Sequence, residues 1–340
     1  GGRRWCLQPW SHLQASAVVC GQWLVAQGFQ LAALTLVNPL PSHHLSGLMP
    51  QLRARAWGAR LVNLSPAQLR RPAELLALQA HWRRPLLLSL VPTQLQRLLA
   101  DPGGLAWLRG FDLIWVGGAA LAADLGARAR QAQLRLAPCY GATETAAMVC
   151  ALEPERFLAG VSGCGQPFAD CQLRLGEQGA IELNTARLSP GWLQDGRLVP
   201  FATASGWWSS GDGGRLTDQG LEVLGRLDGA INSGGETVFP EQVEQQLLVL
   251  AAAAGLPLEA LLLLAEPDPL WGERLVGLFR PLAAAHHPGA TARLADALHG
   301  LARQLPPSQR PRRWLACPEL APSALGKWQR SHWQRWLASA

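Results

Sequence analysis

Residues 139–145, Cys-Tyr-Gly-Ala-Thr-Glu-Thr, carry side chains that could act together on a phosphorylated ligand. Thr143 offers a hydroxyl to a phosphate oxygen, and Glu144 offers the hard carboxylate that Mg²⁺ prefers when it also holds phosphates. Tyr140 offers a flat face to a base or an acyl group, and Gly141 allows the backbone to approach a ligand closely. By itself this pattern is only moderately specific for a phosphate and metal site.

Two residue types that the chain otherwise avoids occur once each. Tyr140 is the single tyrosine, and Lys327 is the single lysine among 30 lysines and arginines. Each lies beside a glycine in a loop-like context. Chance survival in a biased composition is the alternative explanation, and it is weaker for both residues together than for either alone. We therefore interpret both as residues retained for chemistry.

Strand-like and helix-like segments alternate upstream of this site. Helices are predicted over residues 11–28, 48–57, 92–100 and 121–133, and strands over residues 31–37, 60–64, 86–91, 111–116 and 134–136. This order predicts an α/β fold, with parallel sheets flanked by helices in a large N-terminal domain. The Thr143 segment then lies at the carboxyl edge of a sheet, where open α/β sheets bind ligands.

The pattern changes after about residue 150. Short strands separated by Gly, Pro and Asp indicate a small β subdomain, and residues 207–214 are predicted to form a tight loop. In that loop, Asp212 either holds both hydroxyls of a ribose or is a simple turn aspartate. Beyond a glycine-rich segment at residues 225–236, helices and strands predict a compact, mobile α+β module. We therefore predict two domains, an N-terminal core of residues 1–226 and a mobile C-terminal domain of residues 227–340.

Composition narrows the class of partner. The chain has 340 residues, a net charge of +6 with dispersed arginines, and fifteen tryptophans. Single-stranded nucleic acid would suit a basic, aromatic chain, but no nucleic-acid-binding motif is present, so no nucleic-acid partner is expected. An anionic small molecule is also compatible with the charge.

The lengths of the apolar runs and the spacing of the cysteines indicate the cellular location. No apolar run reaches roughly 18 residues, so no membrane span is expected. The seven cysteines form no Cys-x-x-Cys pair, which argues for reduced thiols in a cytoplasmic protein and against a zinc site or a disulfide framework. Whether the protein is a homo-oligomer stays open.

Ordered motifs span nearly the whole chain. They are His-Leu-Ser-Gly-Leu at 44–48, Ser-Leu-Val-Pro-Thr at 89–93, Gly-Gly-Ala at 117–119, Tyr-Gly-Ala-Thr-Glu at 140–144, Ser-Gly-Asp at 210–212, Gly-Arg-Leu-Asp at 225–228, Ser-Gly-Gly-Glu at 233–236, Phe-Pro at 239–240 and Leu-Gly-Lys at 325–327. With them the chain resembles the adenylate-forming acyl-CoA ligase superfamily, and within it the o-succinylbenzoate–CoA ligases of menaquinone and phylloquinone synthesis. Together the motifs are highly specific for the superfamily and less so for the acid.

The resemblance implies an AMP-forming acid–thiol ligase that works in two half-reactions. A carboxylate first attacks the α-phosphate of ATP with the help of Mg²⁺, giving an acyl-adenylate and pyrophosphate. The C-terminal domain then rotates, and the thiol of coenzyme A attacks the acyl-adenylate. The implied small-molecule partners are ATP, an aromatic dicarboxylic acid and coenzyme A.

The resemblance also implies roles for individual residues. The catalytic set is Lys327, Thr143, Glu144 and His44, with Glu144 as the Mg²⁺ ligand. The nucleotide site is Gly117, Gly118, Ala119, Tyr140, Gly141, Thr143, Asp212, Arg226 and Lys327. The acid site is His44, Ser46 and Arg53, the path of coenzyme A runs along Ser233, Gly234 and Gly235, and the hinge is Asp228. A lysine suits the bridging role because its ammonium is a compact charge on a flexible stem.

The spacing of Ser46 and Arg53 is consistent with one face of a helix. Arg53 follows Ser46 by seven residues, which is about two helical turns. Ser46 then lies at the helix entrance, with Arg53 deeper on the same face and Arg55 pointing elsewhere. A second carboxylate on the substrate would need such a cation, because a buried carboxylate is costly unless paired. A surface role for Arg53 is the alternative.

Three features depart from the family pattern. A Ser/Thr/Gly-rich loop ending in lysine normally wraps the terminal phosphates, but here only Gly-Gly-Arg-Arg stands at residues 1–4. The chain is then either a fragment or a degenerate protein, and the intact motifs favour a fragment. His43 replaces an aromatic residue, and Ala-Pro-Ser at 321–323 is shifted by one position. Two rival readings remain, namely a related ligase for another acyl or aryl acid and a non-catalytic remnant of the same fold.

Overall fold

The computed structural model describes residues 5–201, 206–282, 288–322 and 328–339. Lys327 lies outside the described residues. The chain divides into two compact units, the first comprising Gly1–Ser210 with Gly214–Val223 and the second Gly211–Gly213 with Leu224–Ala340. The predicted domain boundary after residue 226 stays a prediction.

The first unit contains the predicted alternation of strands and helices. Its strands are β1 (Trp5–Leu7), β2 (Thr35–Asn38), β3 (Arg60–Asn63), β4 (Leu86–Leu90), β5 (Leu113–Val116), β6 (Leu136–Ala142), β7 (Ala147–Ala151), β8 (Cys171–Leu175), β9 (Ala180–Thr185), β10 (Gly191–Gln194) and β11 (Arg197–Pro200). Its helices are α1 (Trp10–Ala26), α2 (Leu45–Trp57), α3 (Pro66–Leu69), α4 (Pro72–Gln79), α5 (Pro92–Ala100), α6 (Pro102–Leu108), α7 (Ala123–Gln131) and α8 (Pro154–Leu158). Strands β12 (Trp208–Thr217) and β13 (Gly220–Arg226) include residues of both units.

A six-stranded sheet forms the centre of the first unit, with the order β3-β2-β4-β5-β6-β7. The first five strands pair in parallel, and β7 is added antiparallel to β6. Every residue of β2 and β5 is buried, as expected where helices cover both faces of a parallel sheet. The predicted α/β fold is therefore confirmed.

Two smaller sheets complete this part of the chain. One has the order β13-β12-β9-β8 and the other the order β1-β10-β11. The prediction of a tight loop at residues 207–214 was wrong, because this segment belongs to strand β12. Its glycines are required by close neighbours: a Cβ on Gly213 would lie 2.5 Å from the Phe239 ring, and one on Gly214 would lie 2.6 Å from Ile181.

Three further boundaries differ from the sequence prediction. Residues Leu31–Ala33 form a 3-10 turn, and the strand begins only at Thr35. Helix α2 begins at Leu45 rather than at residue 48. The strand predicted at 134–136 instead runs to Ala142, because an unpredicted partner, β7, continues to pair with it. Tyr140 and Gly141 are therefore strand residues, not loop residues.

The second unit is an α+β module, as predicted. Its strands are β14 (Ile231–Ser233), β15 (Glu236–Val238), β16 (Leu258–Asp268), β17 (Gly272–Pro281) and β18 (Trp314–Ala316), and its helices are α9 (Pro240–Ala253), α10 (Pro288–Ala302) and α11 (Arg330–Ser339). The sheet has the order β15-β14-β17-β16, with β18 parallel to β17. The glycine-rich segment at residues 225–236 includes the end of β13, strand β14 and the turn into β15.

Within the described part of the chain, no helix has the length and apolar character needed to cross a membrane.

Gly141, in the candidate phosphate segment, has no space for a side chain. A Cβ there would lie 2.2 Å from the carbonyl oxygen of Ala147 on the paired strand. We predict that Gly141→Ala lowers the free energy of unfolding by about 1–3 kcal/mol, because the two strands must separate to make room. Urea denaturation would measure the change.

Gly126 provides the matched control in the same unit. It lies within α7, and a Cβ there would meet atoms no closer than 3.6 Å. Gly126→Ala should raise stability by about 0.5–1 kcal/mol, since alanine loses less conformational freedom in a helix than glycine. Equal effects of the two substitutions would refute the packing argument for Gly141.

Candidate functional site

The segment predicted to contact phosphate forms a turn between two paired strands. Thr143–Thr145 is a single 3-10 turn between β6 and β7. Thr143 is exposed, Glu144 is partly buried and Thr145 is fully buried. The Thr145 hydroxyl accepts a hydrogen bond from the Ala142 amide at 3.0 Å and lies 2.8 Å from the Ala147 carbonyl oxygen. Thr145 therefore closes the turn, while Thr143 is left accessible.

The backbone just after this turn is strained. Ala146 and Ala147 have φ angles of 52° and 82°, a region that side chains with a Cβ rarely adopt. Each such residue costs about 1–2 kcal/mol relative to ordinary backbone. Strain of this kind persists only where surrounding contacts fix the conformation, and it concentrates at functional sites.

Side chains and main-chain groups from other elements hold the carbonyls of the turn. The Gln8 side-chain amide donates to the Thr143 and Glu144 carbonyl oxygens at 2.7 and 3.0 Å. The Ser189 amide donates to the Glu144 carbonyl oxygen at 2.7 Å. Among the described residues, neither the Thr143 hydroxyl nor the Glu144 carboxylate forms a hydrogen bond or an ion pair. The turn is therefore fixed through its backbone, and its side chains are available to a ligand.

The donor set at Glu144 fits Mg²⁺ of the kind that accompanies phosphates. Mg²⁺ usually retains waters and binds one or two carboxylates together with the oxygens of a phosphorylated substrate. One unpaired carboxylate beside an exposed hydroxyl meets that requirement. The described residues contain no cluster of three or more His, Cys, Asp or Glu that could hold a metal ion without such a substrate.

Gly117, Gly118 and Ala119 follow β5, the strand adjacent to β6. Val116 pairs with Pro138, so this glycine segment and Tyr140 extend from neighbouring strands at the same edge of the sheet. A Cβ on Gly117 would lie 2.7 Å from the Cys139 sulfur, and Gly118 has a φ of 81°. Two of the predicted nucleotide-binding segments are thus brought together.

Arg53 is a buried cation whose hydrogen-bonding capacity is only partly used. Its side chain is 4% exposed, and its Nε and Nη2 atoms have no hydrogen-bond partner among the described residues. Its Cζ lies 5.2 Å from the centre of the Trp115 ring, which gives a weak cation–π contact. A buried, unpaired charge is costly, so an anionic ligand is the natural complement of this site.

The other predicted residues of the acid site lie nearer the surface. His44 precedes α2 as its cap residue and is exposed, as is Ser46 in the first turn of the helix. Arg55, two residues beyond Arg53, is also exposed. The structure therefore agrees with helical phase in separating Arg53 from Arg55.

Sequence analysis missed Arg187 and Asp170. Arg187 is 1% exposed and binds the Asp170 carboxylate through Nε at 2.5 Å and Nη2 at 3.1 Å. Its Nη1 and Nη2 atoms also donate to the carbonyl oxygens of Thr145 and Met148 at 2.8 and 3.2 Å. No motif or spacing in the sequence marks these two residues, because nothing local indicates that Arg187 is buried.

Three cysteines of the first unit, Cys20, Cys139 and Cys164, have thiols whose pKa is raised by burial. Burial raises the pKa of Cys164 to about 12. The pKa of Cys20 is lowered in part by Arg53 and Arg187, but burial dominates. Since the thiolate is the reactive form of cysteine, this direction of the pKa shifts disfavours a nucleophilic role for these thiols.

In the second unit, Arg226 joins the predicted ribose and hinge aspartates. Its guanidinium contacts the Asp212 carboxylate at 3.3 Å and both oxygens of the Asp228 carboxylate at 3.1 Å. The hydrogen bonds from Arg226 lower the pKa of Asp228. Asp228 is largely exposed, whereas Asp212 is mostly buried. The roles of these three residues stay predictions.

The predicted coenzyme A path, Ser233 to Gly235, forms the turn between β14 and β15. Gly234 and Gly235 have φ angles of 63° and 85°, which a two-residue hairpin turn requires. Ser233 is fully buried, and its hydroxyl has no hydrogen-bond partner within the described part of the chain. The turn at Gly234 and Gly235 was not predicted from the sequence, and its role toward coenzyme A stays a prediction.

Arg330, three residues after Lys327, fixes the start of α11. It lies 2.9 Å from carboxylate oxygens of Glu241 and Glu244 and donates to the Leu263 carbonyl oxygen at 2.7 Å. Glu244 is 6% exposed. Burial raises its pKa to about 7, although Arg330 and the Leu263 amide lower it. Arg330 thus attaches the start of α11 to α9 and β16.

Comparison with known proteins points to one family. The model of a family described as AMP-binding enzyme matches residues 9–183. The 2-succinylbenzoate–CoA ligase of Salmonella typhimurium is 30% identical over 298 residues, which are 88% of this chain and 59% of that protein. The Escherichia coli enzyme of the same name is 32% identical over 206 residues, which are 61% of this chain and 42% of that protein. The chain thus spans about three-fifths or less of these two relatives.

Solved structures give the same result. Wild-type E. coli MenE with a bound analogue of OSB-AMS superposes with a TM-score of 0.71 at 26% identity, covering 99% of this chain and 67% of that one. The o-succinylbenzoate CoA synthetase of Bacillus subtilis in complex with OSB-AMP superposes with a TM-score of 0.77 at 22% identity, covering 97% and 66%. The second comparison supports the fold alone.

The buried Glu244 carboxyl makes stability depend on pH. Its pKa in the folded chain is about 7, above the value of about 4.3 expected when unfolded. Protonation therefore favours folding, and this contribution is complete below the unfolded pKa and lost as the pH rises through 7. We predict that the stability difference between wild type and Glu244→Gln changes by up to about 3 kcal/mol between pH 5 and 8.

Urea denaturation followed by tryptophan fluorescence would measure both curves across this pH range. Glu259→Gln serves as the control, because Glu259 forms an exposed ion pair with Arg280. Its curve should run parallel to that of the wild type. A parallel curve for Glu244→Gln as well would contradict the assignment.

Proposed function

Since the chain belongs to the AMP-binding enzyme family, we propose that the protein is an AMP-forming acid–CoA ligase. A carboxylate displaces pyrophosphate from ATP to form an acyl-adenylate, and the thiol of coenzyme A then displaces AMP to form a thioester. We further propose o-succinylbenzoate as the acid. The relatives named for this acid support the assignment, although the chain spans only 59% of the Salmonella protein.

The observation that supports the proposal is the buried guanidinium of Arg53, whose Nε and Nη2 atoms have no hydrogen-bond partner among the described residues. o-Succinylbenzoate has two carboxylates, of which one is activated and the other must be recognised. Arg53 presents unpaired Nε and Nη2 groups, the donors that can bind a carboxylate in a bidentate manner. A monocarboxylic acid would leave this cation unpaired.

The turn at Thr143 and Glu144 supplies the phosphate contacts of the first half-reaction. Attack of one anion on another requires that the charges be neutralised and the groups aligned. The Thr143 hydroxyl would bind a phosphate oxygen, and Glu144 would hold Mg²⁺. When bound, Mg²⁺ neutralises phosphate charge. Gly117 to Ala119 and Tyr140 would line the adenine from neighbouring strands.

Residues of the second unit complete the proposed cycle. Lys327 would bridge the carboxylate and the nucleotide during adenylation. Asp212 and Arg226 would bind the ribose, and rotation about Asp228 would then bring the turn at Ser233 to Gly235 toward the pantetheine. In the first unit, His44 would contact the acid. The cytoplasmic location and the oligomeric state stay predictions.

Two alternatives predict different measurements. A related ligase for another acid would form acyl-adenylates, but would not prefer a diacid. A non-catalytic remnant of the fold would bind ATP without turnover. Pyrophosphate release measured with o-substituted benzoates and with other aryl and acyl acids, together with ATP binding, separates the three cases.

Arg53 should determine the preference for the diacid. We expect Arg53→Ala and Arg53→Lys to raise the KM for o-succinylbenzoate at least about tenfold, because a bidentate charged pair is lost or reduced to a point charge. The affinity for ATP should stay the same. Steady-state pyrophosphate release, measured at varied acid concentration and separately at varied ATP concentration, provides both values.

Arg55→Ala is the matched control on the same helix, since Arg55 is exposed. It should retain the wild-type KM for the diacid. If Arg53→Ala kept the full preference for o-succinylbenzoate over benzoates that lack the second carboxylate, the substrate assignment would lose its main support.

Lys327 should act in only one half-reaction. We expect Lys327→Ala to abolish formation of the acyl-adenylate, yet to leave transfer from a pre-formed acyl-adenylate to coenzyme A largely intact. The reason is that the lysine is expected to move away with its domain after the first step. Single-turnover assays of each half-reaction would test this, and equal loss of both would refute the role.

A further inference from the structure

Arg187 connects two carbonyl groups that bracket the strained alanines behind the Thr143 turn. Thr145 precedes Ala146 and Ala147, and Met148 follows them; both carbonyl oxygens accept hydrogen bonds from Arg187. The two alanines have positive φ angles. A single guanidinium therefore spans the strained dipeptide and fixes both of its ends.

Asp170 makes this arrangement possible in a buried setting. Arg187 is 1% exposed, so its charge needs a counter-ion and its N–H groups need acceptors. The Asp170 carboxylate occupies Nε and one N–H of Nη2, which leaves other donors directed at the two carbonyls. Lysine cannot reproduce this pattern, because its ammonium lacks the planar fork.

We propose that Arg187, oriented by Asp170, is a positioning residue for Thr143 and Glu144. It contacts no reacting group. It holds the backbone at positions 145–148 in a conformation that alanine would otherwise leave, and thereby fixes the preceding turn. The inference rests on the proposed function, since it gives the turn its role toward MgATP.

We call the Arg187–Asp170 pair, with its hydrogen bonds to the Thr145 and Met148 carbonyls, the clamp. The other contacts of the turn indicate that the clamp affects the position of Thr143 and Glu144 as well as the stability of the fold. Gln8 and Ser189 hold the Thr143 and Glu144 carbonyls from the other side. Loss of Arg187 would leave the turn attached through these contacts alone, free to relax at Ala146 and Ala147. Misplacement of a catalytic group by about 1 Å can reduce the rate of a reaction by about a hundredfold.

The test compares MgATP affinity, acid affinity and thermal stability in the same variants. We expect Arg187→Lys to raise the Kd for MgATP and the Mg²⁺ concentration for half-maximal adenylation, each by about tenfold or more. The KM for the acid should change by less than about twofold, because Arg53 lies on another element. Asp170→Asn should shift the same quantities in the same direction.

A rescue variant separates positioning from mere packing. Glycine adopts positive φ without strain, so Ala147→Gly allows the turn to keep its conformation without the clamp. In the double variant Arg187→Lys with Ala147→Gly, the increase in log Kd for MgATP relative to the wild type should be at most half of the increase in Arg187→Lys alone. If Arg187→Lys lowers the melting temperature but leaves the Kd of the folded protein unchanged, the proposal is overturned.

Arg174→Lys is the control for replacing an arginine in the same unit. Arg174 forms a surface ion pair with Glu182 and is half exposed, and it should leave the Kd for MgATP unchanged. If this control weakens MgATP binding as much as Arg187→Lys does, the effect is not specific to the clamp and the proposal fails.

MgATP binding also separates this inference from the proposed function. A wild-type protein that binds MgATP but forms no acyl-adenylate with any acid would contradict the function, while a weaker Kd in Arg187→Lys would still support the clamp. An active wild type with an unaffected Arg187→Lys would overturn the clamp alone. A wild type that does not bind MgATP would overturn both.

Discussion

Burying a guanidinium removes it from water, and its lost hydrogen bonds must come from the protein or from a ligand. Two buried arginines of the first unit differ in whether the protein supplies these hydrogen bonds. Arg187 finds a carboxylate and two carbonyls, so its charge is satisfied within the fold. Arg53 is buried to a similar degree with two of its nitrogens unpaired. Within the described residues, the Arg187 guanidinium is therefore saturated by the fold, whereas Arg53 keeps two buried N–H donor groups without an acceptor.

The parallel sheet determines how the remaining site residues meet. Strands β5 and β6 are neighbours, so the segments that follow Val116 and Pro138 emerge side by side. The antiparallel addition of β7 then folds the chain back against Gly141, where there is no room for a side chain. Ala146 and Ala147, which have positive φ angles, lie where the chain enters β7. The backbone strain and the Thr143 turn are therefore both located at the pairing of β6 with β7.

Much of this arrangement could be predicted from the sequence. Alternating apolar segments identified the parallel strands, and the helical phase of Arg53 and Arg55 separated a buried from an exposed arginine. Strand β6 was predicted too short because its continuation depends on pairing with β7, which is a tertiary contact. Strand β12 resembled a loop because its glycines, usually a turn signal, here accommodate Phe239 and Ile181. Arg187 left no local signal, since only the folded chain shows that it is buried.

The buried cysteines have a practical consequence. Cys20, Cys150 and Cys171 are buried in the first unit, and Cys317 is buried in the second. A thiol reagent in water cannot reach such groups until the surrounding core opens. The rate at which each cysteine is alkylated therefore reports local opening, and the distribution of these residues allows the two units to be followed separately in one sample. The chain carries its own set of probes for which unit unfolds first.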